Sequence, residues 1–351
     1  MCDCWQIVGD YGDDFHAGPK AQNDIAVVLD RMGVERIVVG RTHFGGPIGR
    51  LLNRLLWFAR CRLIRAKLPR KTTVIMQCPT AAWSKSAALC VLNERVKARK
   101  DLRLVTIVHD IASLRVGDGP MAEKRLNAEE ERLFALFDKI VVHNEQMKRA
   151  LIERGVPADR LVPLEIFDYL IPGFEPERTR SKSNEVIIAG NLAPDKTVYL
   201  KRLKDVPGVE WKLYGPNFDS AAVGGPNVHY AGCCSPDELP SKLEGAFGLV
   251  WDGLSIETCS GAYGEYTRIN NPHKLSLYLA SGIPVIVWRE AAVARFVESH
   301  GVGVVVDSLN NLDSFLNGIS EAAYDEMLRN SLAVSEKLRT GYFTRKVMTD
   351  E

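Results

Sequence analysis

Nine short runs of apolar, largely β-branched residues recur along the chain, with helical stretches between them. They are "RIVVG" (36–40), "TTVIMQC" (72–78), "RLVTIVHD" (103–110), "KIVVHN" (139–144), "EVIIAGN" (185–191), "EWKLYGPN" (210–217), "FGLVWDG" (247–253), "IPVIVW" (283–288) and "GVGVVV" (301–306). Their apolar residues are continuous rather than alternating, as in strands covered on both faces of a parallel sheet. Helical periodicity marks 20–32, 47–68, 84–100, 121–137, 145–154, 237–245 and 272–281. Such alternation over the whole length predicts an α/β fold with right-handed crossovers. At 351 residues the chain exceeds one comfortable core. The alternation pauses once, in "LEIFDYLIPGFEPERTRSKSNE" (164–185), where Pro, Gly and charge replace the period. Two doubly wound, Rossmann-like domains are therefore expected, at 1–165 and 166–335. A C-terminal helix at about 336–351 is expected to pack back on the first.

Composition excludes several classes. With 46% apolar and 25% charged residues the chain is ordinary globular protein, and a net charge of +1 exerts no pull on nucleic acid. The opening "MCDCWQIVGDYGDDF" lacks the apolar core of a signal peptide, and no run is long enough to span a bilayer. The eight Cys have no zinc spacing, so no metal site and a reduced, cytoplasmic setting are expected. One asymmetry stands out: between Glu35 and Glu94 there are eleven Lys or Arg and no acid. The densest part, "RLLNRLLWFARCRLIRAKLPRK" (50–71), sets Leu51, Leu55, Phe58, Leu52, Leu56 and Leu63 at helical spacing. Arg50, Arg54, Arg60, Arg62, Arg65 and Lys67 surround them. A basic helix lying on the anionic inner membrane face fits this pattern, and so does a core helix with a solvated basic rim.

Doubly wound domains bind ligands beyond the carboxyl ends of their strands. Polar residues cluster there: His109-Asp110, His143-Asn144, Gly190-Asn191, Tyr214 to Asn217, and Asp252-Gly253. A shared cleft explains so many polar strand ends better than ordinary chain exit does. "AGN" and "YGPN" are small-residue turns that suit phosphate. The loop "WDGLSIETCSGAYGEYTRINNPHK" (251–274) is long and polar, carrying Asp252, Glu257 and Tyr266. Asn271-Pro272 reads as a helix start with Asn as the cap and Pro in the first turn. Lys274 then sits where a cation opposes the helix dipole, unless an anion such as a diphosphate binds both. The plainer alternative makes Asn271 a cap and leaves His273 and Lys274 solvated. Gly18 and Lys20 sit where "YGDDFHAGPKAQNDI" (11–25) enters a helix, close to a phosphate or simply at a helix start. Asp110 could take a proton from an acceptor hydroxyl and His109 could hydrogen-bond to a sugar; the alternative is that Asp110 caps the next segment. Together these features describe a GT-B glycosyltransferase, in which helix dipoles and basic side chains stabilise the leaving diphosphate without a metal.

"VHDI", "VVHN", "IFDYL", "AGNL", "WDGLSIETCSGAYGEY" and "NNPHKLSLYLASGIPVIVW" resemble, in this order, the bacterial β-1,6-galactofuranosyltransferase and streptococcal glucosyltransferase 3 family. The resemblance implies a GT-B fold, a UDP-sugar donor carrying galactofuranose, glucose or galactose, and a glycan or glycolipid acceptor. It also implies no cofactor or metal, and a homo-oligomer. By resemblance Asn271, His273 and Lys274 contact donor phosphate and uridine, with Asn270, Asp252 and Tyr266 in the same block. Asn191 and Tyr214 lie near the nucleotide, and Gly18 and Lys20 on the opposite wall. The chain departs from retaining GT-B enzymes that hold ribose with a Glu before "YLA": Leu277 stands there, leaving Glu290 or the 252–266 loop for that task. Asp110 is the expected base, followed by Glu257 and Asp252. A non-catalytic GT-B subunit assisting a partner, and a UDP-sugar epimerase, remain the alternatives.

Overall fold

The structure is a computed structural model that describes residues 4–9, 17–39, 44–78, 101–115, 128 and 130–349. The expected helix at 84–100 and the first part of that at 121–137 lie outside these residues, as does the loop at 11–16. Two compact units emerge. The first takes 25–164, the strand at 4–9 and the last residues from Val347; the second takes 165–346 and the start of the first helix through Asp24.

In the first unit β1 (Cys4–Gly9), β2 (Glu35–Val39), β3 (Thr73–Cys78), β4 (Arg103–Val108), β5 (Lys139–Val142) and β6 (Leu161–Pro163) form one parallel sheet. Its order is β2-β1-β3-β4-β5-β6. Helices α1 (Ala17–Arg31), α2 (Gly46–Lys67), α3 (Ala112–Arg115) and α4 (Glu145–Glu153) follow β1, β2, β4 and β5. β1 has no clean apolar run because Gln6 interrupts it. That side chain is buried, and its amide nitrogen donates to the Ala26 carbonyl (3.0 Å) and Asp30 Oδ1 (2.6 Å), which satisfies both of its donors in the core.

In the second unit β7 (Glu185–Ala189), β8 (Glu210–Tyr214), β9 (Val228–Gly232), β10 (Phe247–Val250), β11 (Val285–Trp288) and β12 (Gly303–Val306) form another parallel sheet. Its order is β12-β11-β10-β7-β8-β9. The chain steps outward from β7 to one edge, returns, and steps outward from β10 to the other, so the strand order reverses between β7 and β10. That reversal is the topological switch point where doubly wound sheets open a crevice. β10 and β11 are buried throughout, which accounts for their unbroken apolar sequences, while edge strand β9 is mostly exposed and carries no such run.

The helices here are α5 (Gly261–Tyr266), α6 (His273–Ala280), α7 (Ala294–His300), α8 (Leu312–Asn317), α9 (Glu321–Thr340) and α10 (Tyr342–Thr349). The C-terminal stretch, expected as one helix, is two. Gly341 ends α9 in the left-handed region (φ 77°), and the Asp168 carboxylate accepts from the Phe343 and Thr344 N–H groups (3.1 and 2.7 Å) to start α10. α6 lies directly on the sheet: a Cβ at Gly248 of β10 would stand 2.2 Å from the Tyr278 ring. The Ala189 N–H, at the end of β7, donates to the Tyr278 hydroxyl (2.7 Å). Glycine within an otherwise bulky strand therefore allows α6 to seat over the switch point.

A candidate nucleotide-sugar site at the switch point

Two glycine turns shape the strand ends. Gly190 follows β7 with φ 133° and Gly215 follows β8 with φ 143°, a region that favours glycine. The Gly190 N–H donates to the Tyr214 carbonyl (3.0 Å), and a Cβ at Gly215 would sit 1.8 Å from the Gly190 oxygen. The Asn191 side chain joins the two turns, accepting from Ala193 N–H (3.1 Å) and Asn217 Nδ2 (2.9 Å). Tyr214 is buried, and its hydroxyl accepts from the Glu244 N–H (3.2 Å), so this side chain braces the turn.

Lys274 stands beside them. Its Nζ donates to the Trp251 carbonyl (2.7 Å) and to Asp252 Oδ1 (2.8 Å), both just after β10. The Lys274 and Asp252 side chains are only 12% and 11% exposed. Burial lowers the Lys274 pKa, Asp252 opposes that shift, and nearby Lys196 adds to it. The Lys274 Cε lies 3.8 Å from where a Cβ at Gly190 would be. An ammonium has three donors, and two are engaged among the described residues. Lys274 occupies the first turn of α6, where the Leu275 N–H is bonded to the Pro272 carbonyl (3.0 Å) and the two N–H groups before it have no intrahelical acceptor. Cation, helix N-terminus and side-chain-free backbone thus converge on the switch point, an arrangement suited to a diphosphate.

Two local expectations are corrected. Pro272 holds the N-cap position of α6, and no side chain closes that turn. Asn271 is no cap: it is buried and donates from Nδ2 to the Glu165 carbonyl (2.9 Å), tying α6 to the segment before β7. The 251–274 stretch is no open loop, because it contains α5 and is drawn together at Gly253 and Ser260. There the Leu254 N–H donates to the Ser260 carbonyl (3.2 Å), and a Cβ at Gly253 would meet that oxygen at 2.4 Å.

His273 faces a different cluster. Its ring lies 5.1 Å from that of Tyr169 and 6.2 Å from that of Phe167, and its Nε2 is buried without a hydrogen-bond partner. The Lys20 ammonium is fully engaged, by Asp24 Oδ1 (2.7 Å), Asp237 Oδ1 (2.9 Å) and the Leu170 carbonyl (2.6 Å). Lys20 groups with the second unit rather than with the first. Gly18 lies in the same turns of α1. Burial, with Lys20 nearby, drives His273 down to about 3 from its ordinary 6.5. The unfolded chain therefore takes up this proton first. Stability from His273 is complete above pH 6.5 and falls by up to about 1.4 kcal/mol per pH unit as pH drops toward 3. Asp24 and Asp168, raised by burial to about 6 from 3.8, act in the opposite direction between those values. A difference measurement isolates the histidine. Between pH 7 and pH 5, urea unfolding of His273→Gln should lose about 2 kcal/mol less than wild type does, and equal losses would contradict the assignment.

The remaining candidates are dispersed. Tyr266 is buried in α5 and its carbonyl accepts from Asn270 N–H (3.0 Å), while Asn270 Oδ1 is buried without a partner. Glu257 is exposed, and a hydrogen bond from Ser255 lowers its pKa. Glu290 pairs with Arg268. In the first unit His109 Nε2 meets Gln77 Oε1 at 2.6 Å, Asp110 Oδ2 is paired with Arg115, and Asp110 Oδ1 is buried without a partner. His143 is buried and pushed down to about 4, and the Asn144 side chain caps α4 by accepting from Met147 N–H (2.9 Å). Sequence reasoning missed Lys196 and the hydroxyl of Tyr199, which is buried beside Asp252 without a partner. Neither had a flanking motif to mark it.

Family models for the glucosyltransferase 3-like N-terminal and C-terminal domains match residues 6–166 and 186–351. The chain belongs to the glucosyltransferase 3-like family. Among the curated relatives of this family member is the β-1,6-galactofuranosyltransferase WbbI of Escherichia coli K12, 34% identical over 95% of this chain and 94% of that one. Glucosyltransferase 3 of Streptococcus gordonii is 28% identical over 71% and 70%. Solved structures share the fold. Sucrose-phosphate synthase of Thermosynechococcus elongatus superposes with a TM-score of 0.65 at 13% identity, over 98% of this chain and 97% of that one. Anabaena HepE, solved with UDP, superposes with a TM-score of 0.60 at 13% identity, over 98% of both chains. The fold is GT-B, and this member of the family is a glycosyltransferase.

Proposed function

We propose that this glycosyltransferase moves a hexosyl residue from a UDP-sugar to a glycan or glycolipid acceptor in assembly of bacterial surface polysaccharide or glycoprotein. The observation that carries the reading is Lys274, held at the N-terminus of α6 against the Gly190 turn. Charge develops on the diphosphate as the glycosidic bond breaks. A prepositioned cation and free N–H groups stabilise that charge without reorganising, so they lower the barrier most where bond breaking is furthest advanced. No metal is assigned to this step; the resident cation and dipole do the work. Asp252 holds Lys274 in place and exchanges part of that partnership for the incoming diphosphate. Asp110 is the proposed base: Arg115 engages Oδ2 and orients the carboxylate, and Oδ1 is left to take the acceptor proton. The 34% identity to a galactofuranosyltransferase favours galactofuranose as the sugar.

A thermal-shift screen against UDP, GDP, TDP, UDP-glucose, UDP-galactose and UDP-galactofuranose tests this reading. A ligand at one hundred times its Kd adds about 2.7 kcal/mol of stability. UDP compounds should raise the melting temperature and the other diphosphates should not, with the largest shift from the true donor. No shift with any uridine nucleotide would overturn the proposal.

A further inference from the structure

α2 presents its apolar face to solvent. Ile48, Leu51, Leu55 and Leu63 are 77%, 59%, 56% and 70% exposed, and Leu52 and Leu56 are exposed with them. At about 100° per residue these six fall within one arc of about 140°. Ala59 and Ala66, also exposed, lie inside the same arc. Ile64 and Leu68, on the opposite side, are buried and attach the helix to its own unit. Among the described residues the leucine stripe therefore packs on no core, unlike Ile64 and Leu68. Basic residues accompany the stripe: by the same helical geometry exposed Arg62 falls just inside one edge, between Leu51 and Leu55, and Arg60 and exposed Lys67 lie just beyond the other.

We propose that α2 is a membrane-docking element that lays this stripe into the headgroup region of an anionic bilayer. Six continuous aliphatic side chains on a water-facing helix mark an interaction surface. Charge selects the occupant. α2 has six Lys or Arg and no acidic residue, within a longer stretch that has none from Arg36 to Asn93. A second copy packed stripe to stripe would set cation against cation along both borders. A glycan, with hydroxyls interrupting its C–H faces, offers no continuous aliphatic surface to fill a leucine stripe. An anionic lipid surface satisfies both requirements, with acyl chains for the leucines and phosphates for the flanking cations. No described helix is long and apolar enough to cross a membrane, so the contact is peripheral. The inference does not depend on the identity of the donor sugar, since α2 belongs wholly to the first unit and Lys274 to the second.

Co-sedimentation of the full chain with vesicles tests it. The purified protein should bind vesicles of phosphatidylcholine mixed with phosphatidylglycerol, bind phosphatidylcholine alone far less, and detach as salt is raised. Arg62→Glu with Lys67→Glu should weaken binding to anionic vesicles by at least about tenfold, and Leu55→Asp with Leu63→Asp should do the same. Both double variants should keep the wild-type melting temperature, or exceed it, and keep the wild-type response to UDP, which separates a docking defect from a folding or donor-site defect. Absence of binding to anionic vesicles, or binding insensitive to both double variants, would overturn the proposal. So would a concentration-dependent dimer in sedimentation velocity that Leu55→Asp with Leu63→Asp dissolves while vesicle binding persists, since the stripe would then be covered by a second copy.

Discussion

Replacing Lys274 by Ala should reduce sugar transfer by about 10²–10³-fold, the loss typical when one preorganised group that stabilises transition-state charge is removed. It should also destabilise the protein by about 3–5 kcal/mol, because Asp252 is left buried without its counter-ion. The two losses have different causes and can be separated. Asp252→Asn alone leaves the Lys274 cation with a neutral partner. Combined with Lys274→Ala, it removes the uncompensated charge. The double variant should regain most of the stability in urea titration while UDP no longer raises its melting temperature and transfer stays low. Recovery of UDP binding together with stability would show that Lys274 is only a structural partner of Asp252. The donor site would then have to be sought elsewhere along the β7 and β10 ends.

Gly215→Ala should be the most damaging single methyl group in the second unit. The added Cβ would fall 1.8 Å from the Gly190 carbonyl oxygen, a backbone atom that cannot swing aside. The position also has φ 143°, which L side chains rarely adopt. Strain and overpacking together should cost about 3 kcal/mol or more, lowering the melting temperature by roughly 6–12 °C for a unit of this size. UDP should bind more weakly, because relief of the clash displaces the Gly190 turn beside Lys274. Gly224→Ala is the control: its Cβ meets nothing within 4 Å and its φ is ordinary, so it should leave both stability and binding unchanged. Calorimetric scans of the two variants with and without UDP decide the matter. A Gly215→Ala protein as stable as Gly224→Ala would mean that the two turns are not locked together.

Much of this architecture was legible because strands buried on both faces must be continuously apolar. β3, β10 and β11 announce themselves in this way, whereas edge strands β6 and β9 do not, being short and partly exposed. Lys274 was legible for an electrostatic reason, as a cation in the first turn of a helix that would otherwise disfavour it. The role of Asn271 was misread because an Asn-Pro pair looks the same whether Asn caps the helix or binds a distant carbonyl. Lys20 looked like a free cation, and only the folded chain shows its three acceptors, two of them contributed by Leu170 and Asp237. Asp252 and Lys274 were both singled out, but nothing in a separation of 22 positions announces that they form an ion pair.

Local sequence sets hydrophobic period, turn chemistry and charge, since these depend on residues within a few positions of each other. It therefore settled the α/β class, the glycine turns at the strand ends and the basic amphipathic character of α2. Strand order is a long-range choice among pairings of similar local energy, so the reversal between β7 and β10 that makes a crevice appears only in the folded sheet. The same distinction governs α2. Its period dictates that the leucines share a face, but whether that face meets a core or water is decided by the packing of Ile64 and Leu68 on the opposite side.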